Sequence, residues 1–275
     1  MSRRSIGPAL GVWSLLMAAA ATNAAILGWG EVAIGGAGAC IVGAFLVWKG
    51  AGRRIGALLA GFGSAAVLSD WSSAVLEPGR LDEALVRPVA VLGSSVFVLV
   101  GTLANALLMV FPSGAPRPRW RWPLRILLAI GAVGTIAGLV WALGRPTADL
   151  VTQVLATGDS SNPADMAAGL VFMAFFPLAI ASLFFRYRAA GVVERHQIRW
   201  LLLAAATVFT ITMTQNVVGD YDSRVASIAV AFGFLLFPVA SGVAILRYRL
   251  FEIDRIISRR SPTCSSSARW SASTP

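Results

Sequence analysis

The sequence predicts an all-α fold, an integral membrane bundle of eight transmembrane helices with both termini inside and a short interfacial helix near the C-terminal end. Three observations predict it. Of 275 residues, 57% are hydrophobic and only 13% charged, where a soluble domain carries about 25% charged residues. The apolar residues gather into eight runs, each close to the roughly 20 residues that a helix needs to cross a bilayer. The basic residues then segregate into alternate connections between those runs. A mean hydropathy of +0.74 agrees.

The runs fall at 8–28, 32–48, 55–76, 89–111, 123–143, 165–185, 200–219 and 225–246, the second being the shortest. Pro8, Pro88 and Pro123 sit near the start of three of them. There a missing backbone N–H costs nothing, because the first turn of a helix has no acceptor for it. The first run needs separating from a cleaved leader, since Arg3 and Arg4 precede it and small residues (Ala20, Ala21, Thr22) follow. The apolar stretch continues through Ile26 and Leu27 past those small residues, so it reads as a retained helix. Cleavage would leave seven helices and an outer N-terminus.

Orientation follows from Lys and Arg, which accumulate on the cytoplasmic side of membrane proteins. All but four of the 23 basic residues (Arg80, Arg87, Arg145 and Arg224) fall in one alternate set of connections and the two termini. The opposite set carries Glu31, Glu77, Asp82, Glu83, Asp149, Asp159, Asp165, Asp220 and Asp222. Both termini are therefore placed in the cytoplasm. The net charge of +10 does not point to nucleic acid, because the cations lie in short clusters between apolar runs and not on one solvated face. The longest outer connection, 144–164, holds an amphipathic stretch around Leu150, Val151, Val154 and Leu155 that suits a short capping helix.

Two segments echo each other. Phe175-Phe176-Pro177 runs on to Arg186-Tyr187-Arg188, and Leu236-Phe237-Pro238 runs on to Arg247-Tyr248-Arg249. Each proline precedes its arginine by nine residues, roughly 13 Å of helix, which puts both near the bilayer centre. A proline there removes a backbone hydrogen bond, so both helices are predicted to kink, at Pro177 and Pro238. The echo is either two parallel helices meeting one interface requirement or an internal duplication. Gly134 and Gly138 form a GxxxG pair in the fifth run, suited to close helix packing or to a dimer contact.

Few groups carry chemistry. Asp70, in Ser69-Asp70-Trp71-Ser72-Ser73, is the only charged residue away from the ends of these runs, and an intramembrane acid is a functional candidate by default. Water, or a partner such as Asn105 or Arg87, is expected to compensate it, and Asn105, Gln215 and Asn216 complete the ligand or sensing candidates. The competing reading of Asp70 is a structural hydrogen bond. His196, the sole histidine, belongs to a connection between spans. Without a second histidine or a cysteine pair no metal site is expected. Cys40 and Cys264 are expected to be inert. No phosphate-binding glycine loop or catalytic triad is present in the sequence, so no cofactor and no enzymatic activity are expected of these residues.

Three stretches, in order, carry a resemblance. They are Phe111-Pro112-Ser113-Gly114 with Pro116-Arg117-Pro118-Arg119-Trp120-Arg121, then Glu194-Arg195-His196-Gln197-Ile198-Arg199-Trp200, then Leu246 to Arg259, reading LRYRLFEIDRIISR. Together they resemble the multi-helix membrane input region of sensor histidine kinases from actinobacterial two-component systems, over roughly 95–260. The third stretch is the specific one. The family usually has Gln where His196 stands, which speaks against an essential histidine. The resemblance implies a bacterial plasma membrane, signal transduction, a homodimer, and a kinase core or response regulator encoded nearby. That core, with its phospho-accepting histidine and ATP-binding boxes, is not among these residues, so the chain reads as an input region apparently truncated before its kinase.

Within the third stretch, Leu250, Ile253 and Ile257 share one helical face, leaving Arg249, Glu252, Arg255 and Arg259 to headgroups or water. Residues 247–260 are thus expected to form the juxtamembrane amphipathic segment, with Arg247, Tyr248, Arg249, Glu252, Asp254 and Arg255 as signal-transmitting residues. The alternative is a stop-transfer anchor. For the whole chain the alternative is a stand-alone multi-pass protein, a small transporter or a partner-binding scaffold.

Residues 261–275 change character to a Ser-rich tail, read either as disordered or as the product of a displaced reading frame. In a frame whose codons take their last two bases from the first two of the present codons, serine codons of the TC type become Val, Leu, Ile or Phe. Cys264 and Trp270 become Val, Leu or Met. The tail then reads as the start of another spanning helix, which is what the resemblance expects after Arg259.

Overall fold

A computed structural model describes residues 3–28, 31–50, 52–155, 161–218, 228 and 231–243. Every regular element among the described residues is helical. The helices are α1 (Arg3–Ile26), α2 (Glu31–Lys49), α3 (Arg53–Leu76), α4 (Glu83–Val110), α5 (Arg121–Leu143), α6 (Thr147–Leu155), α7 (Pro163–Leu170), α8 (Phe176–Ala189), α9 (Val192–Val218) and α10 (Ala231–Val243). A 3-10 turn, Pro118–Trp120, leads into α5, and a π-helical segment, Val171–Phe175, joins α7 to α8.

Six helices are long and apolar enough to cross a membrane: Pro8–Ile26, Val32–Lys49, Arg53–Leu76, Glu83–Val110, Pro118–Leu143 and Pro163–Ala189. They coincide with the first six apolar runs. The seventh run lies in α9, outside that set, and the eighth is represented by the shorter apolar α10. The chain thus has the build of a multi-pass membrane protein. Its surface says the same. Val133, Ile136, Val140 and Leu143 on α5 are each more than 60% exposed, an apolar stripe that in water would favour aggregation and in lipid needs no partner.

α4 is the hub. Of its spanning window 67% is buried, against 22% for α1, and it packs on α3, α5, α6, α7 and α8. Its core face carries Val100, Ala104, Leu107 and Leu108, at the three- and four-residue spacings of one helical side. α2 and α3 form the tightest pair. A Cβ built on Gly43 would lie 2.6 Å from the backbone of Ala60 and of Gly56, and one on Gly63 would strike the Gly36 carbonyl oxygen. With no apolar drive between helices in lipid, such small-residue seams let backbones approach and gain dispersion contact. Gly134 and Gly138 are used the same way inside the chain, against Ala167 and Ala164, so the GxxxG pair is occupied by α7 and is not a dimer contact.

Several boundaries differ from the sequence reading. α4 starts at Glu83, before the apolar run, with Pro88 inside the helix and not at its first position. Glu83 in the first turn favours the positive end of the helix dipole, and polar turns outside the lipid cost nothing. α1 likewise extends back to Arg3, beyond Pro8. α9 begins at Val192, so Glu194, His196 and Arg199 stand on its first turns and not in an irregular connection. The short helix expected in 144–164 is α6, whose Leu150 is fully buried with Leu76, Ala90 and Ala142.

At the proline of the first echo the chain runs as π-helix over Val171–Phe175 immediately before Phe176 and Pro177. Pro177 has no N–H to offer the preceding turn, and a wider turn is one way to absorb that loss. Pro238 lies within α10, its ring facing Gly38 of α2 at 3.6 Å from a Cβ built there. Residues 247–260 and the tail, with Arg247, Tyr248, Arg249, Glu252, Asp254 and Arg255, lie outside the described residues, as do the side chains of Gln215 and Asn216.

Candidate functional site

Alternate connections meet at two ends of the bundle. At one end Asp70 of α3 receives the first amides of α2: Oδ2 accepts from Val32 N at 2.8 Å and from Ala33 N at 2.7 Å. Those N–H groups have no partner within their own helix, and a carboxylate beside them also complements the helix dipole. Asp70 therefore acts as a remote N-cap, holding α2 to α3 across the top of their glycine seam. The expected compensators are engaged elsewhere. Arg87 donates to Leu143 O at 3.1 Å and to Arg145 O and Thr147 Oγ1 at 3.4 Å, the C-terminal end of α5. Replacing Asp70 with Ala is expected to cost about 1–2 kcal/mol, with Asn losing less because it keeps one acceptor. Thermal unfolding of the detergent-solubilised chain measures this, and an Asp70→Ala variant as stable as the parent would remove the capping role.

Asn105 stands apart. Gly93 of α4 faces Ser72 of α3, and Leu103 of α4 faces Gly61, so Asn105 lies about ten residues of helix, roughly 15 Å, below the level of Asp70. It is fully buried. Its Nδ2 donates to Gly101 O at 2.9 Å and to Val171 O at 3.4 Å, and its Oδ1 has no hydrogen-bond partner. Val171 opens the π segment, so the one amide of α4's core face is spent on the irregular stretch of the neighbouring helix. The adjoining crevice is lined by Phe62, Val100, Ala104, Phe172, Phe176, Val208, Phe234 and Phe237. Phe62 stacks on Phe234 with centroids 6.1 Å apart, and Phe176 stacks on Phe209 at 5.7 Å. The lining offers no polar group.

A polar cluster sits under α6. Asn162 is fully buried, caps α7 through Ala164 N at 2.9 Å and donates to Ser94 O at 2.7 Å. Gln153 of α6 donates to Asp165 Oδ2 at 2.9 Å. Together they tie the short α6 onto α4 and α7.

The opposite end holds the feature that sequence reasoning missed. Arg186, read as an interface anchor outside the sixth run, is buried, with 2% of its surface exposed. Its two terminal nitrogens donate to the carbonyls of Phe111 and Met109, the last turn of α4. These carbonyls have no acceptor role left within α4, and a cation there matches the negative end of its dipole. Asp70 is thus not the only ionisable group inside the apolar bundle. The sequence carries no signal for it: Ala179, Ser182, Leu183 and Arg186 share one face of α8 by spacing, and it is their burial that shows this face to point inward.

Phe111-Pro112-Ser113-Gly114 thereby gains a structural account. Gly114 takes a positive φ of 74° and donates to Val110 O at 2.8 Å, closing α4 with a left-handed C-terminal turn. Arg186 occupies the carbonyls beside it. No family model matches this chain, and no curated protein or solved structure matches it. The functional reading therefore rests on the residues themselves. Among the described residues no group of His, Cys, Asp and Glu is placed to hold a metal. Cys40 is buried in the α2–α3 seam, 3.6 Å from Ser64 Oγ.

Proposed function

We propose that the chain is the membrane input region of a two-component sensor histidine kinase: eight spans in a bacterial plasma membrane, both termini in the cytoplasm, passing on a stimulus taken up in or at the membrane. Its partners on this reading are the bilayer, a second copy, and a kinase core or response regulator encoded nearby. The observation that carries it is the Arg186 clamp. The clamp joins the first motif of the resemblance, at the end of α4, to the last turn of α8, three residues before the chain turns into α9 and the second motif. A displacement of α8 in the membrane is then felt at the same end toward which α10 runs alongside α2, with Pro238 near Gly38 and Gly242 against Val42. The π segment in the same helix supplies a place for α8 to change register.

That π segment also favours the second reading, a small transporter, because such proteins build their sites at interrupted helices. The all-carbon lining of the crevice beside it ranks transport of a polar solute lower. The two are separated by a chimera carrying a dimerisation and kinase core after residue 260. The sensing reading expects autophosphorylation that changes when Asn105→Leu is introduced beside the π segment. Constant kinase output, together with solute uptake by the unfused chain in proteoliposomes, would reverse the ranking.

A further inference from the structure

The structure assigns an anionic phospholipid site to the corner where the Pro118–Trp120 turn meets the last turn of α8. Five buried side-chain atoms among the described residues lack a hydrogen-bond partner, and two belong to this corner: Trp120 Nε1 and Arg186 Nε. Both can donate. The turn and the helix are in contact, because the Arg119 guanidinium lies 4.9 Å from the Phe185 ring and 5.7 Å from the Trp120 ring. Arg117 and Glu194 both act electrostatically on Arg186. Glu194 is the one carboxylate in that set, and among the described residues no salt bridge to Arg186 forms. Arg117, Arg119, Arg121 and Arg125 add four cations within nine residues and no acid.

The start of α5 points the same way. It has no side-chain cap and no acidic residue in its first turn, yet it carries Arg121 there and Arg125 directly after it. Cations at a helix N-terminus oppose the helix dipole, an arrangement that an anion between them reverses. A buried indole N–H and guanidinium groups together form the chemistry that binds a phosphate. The depth fixes its source. Trp122, 69% exposed, and Arg125, 5.3 Å from its ring, mark the headgroup level beside the turn. A phosphate at that level is one carried by a lipid, with its acyl chains running down the exposed face of α5.

Native mass spectrometry of the detergent-purified full chain, titrated with phosphatidylglycerol, phosphatidylcholine or inorganic phosphate, tests the assignment. Phosphatidylglycerol is expected to be retained in preference to phosphatidylcholine, about tenfold less in an Arg117→Gln/Arg119→Gln variant. Trp120→Phe, which keeps the ring and removes only the N–H, is expected to lose roughly threefold to tenfold. Lys49→Gln/Arg53→Gln, removing the same charge at the same end, is expected to leave retention unchanged. Equal losses in the two double variants would show a diffuse basic collar and overturn the site. Binding of inorganic phosphate that displaces the lipid would overturn the lipid as its source, and no preference for phosphatidylglycerol would overturn the assignment altogether.

Discussion

Replacing Arg186 with Met is expected to destabilise the bundle by roughly 2–5 kcal/mol, because two carbonyls at the end of α4 lose their donors where water cannot replace them. Met fills much of the same volume, so the loss reads the hydrogen bonds and not a cavity. Arg186→Lys is expected to fall between the two, since one ammonium cannot span the Phe111 and Met109 carbonyls as a planar fork does. The measurement is thermal unfolding in detergent, with folded yield as a second readout. An Arg186→Met chain of parental stability would mean that the end of α4 is satisfied in some other way.

The second large effect lies in the α2–α3 seam and changes sign with position. Gly43→Ala puts a methyl 2.6 Å from backbone atoms of α3, which no rotamer change can relieve. The helices must separate, at an expected cost of about 1–3 kcal/mol. Gly11→Ala, on α1 with nothing within 4 Å of the added carbon, is expected to gain roughly 0.5–1 kcal/mol from lower chain entropy in the unfolded state. Parallel unfolding curves for the two variants check both signs. A Gly43→Ala chain that melts with the parent would show that the seam yields at little cost.

The existence of the first six helices was legible because bilayer thickness imposes a length on apolar runs, and that length survives any detail of packing. Their ends were not. Pro88 marks the start of the apolar run, but the helix obeys the backbone and extends through polar residues to Glu83. Composition identified Asp70 as costly, and contact alone could say what satisfies it: two amides of α2, contributed by residues 37 and 38 positions away. Arg186 shows the opposite failure. Its type and place fit an interface anchor, and only the burial of Ala179, Ser182 and Leu183 on the same side of α8 reveals that it faces inward. The crevice arises from phenylalanines on four separate elements, a coincidence in space that no local pattern encodes.

The arginines that close helix ends also set an order on biosynthesis. Arg186 finds its acceptors, Met109 and Phe111, already made when it emerges, so α8 docks onto a finished surface. Arg80 is in the same position toward Leu27 and Ala74. Arg87 is not. Its acceptors are Leu143, Arg145 and Thr147, at least 56 residues further along the chain. When synthesis has reached the end of α4, this guanidinium stands at the membrane edge with none of those acceptors yet in existence. The amino-terminal four helices can therefore assemble early, whereas the grip of α4 on the end of α5 waits for the ribosome to pass Thr147.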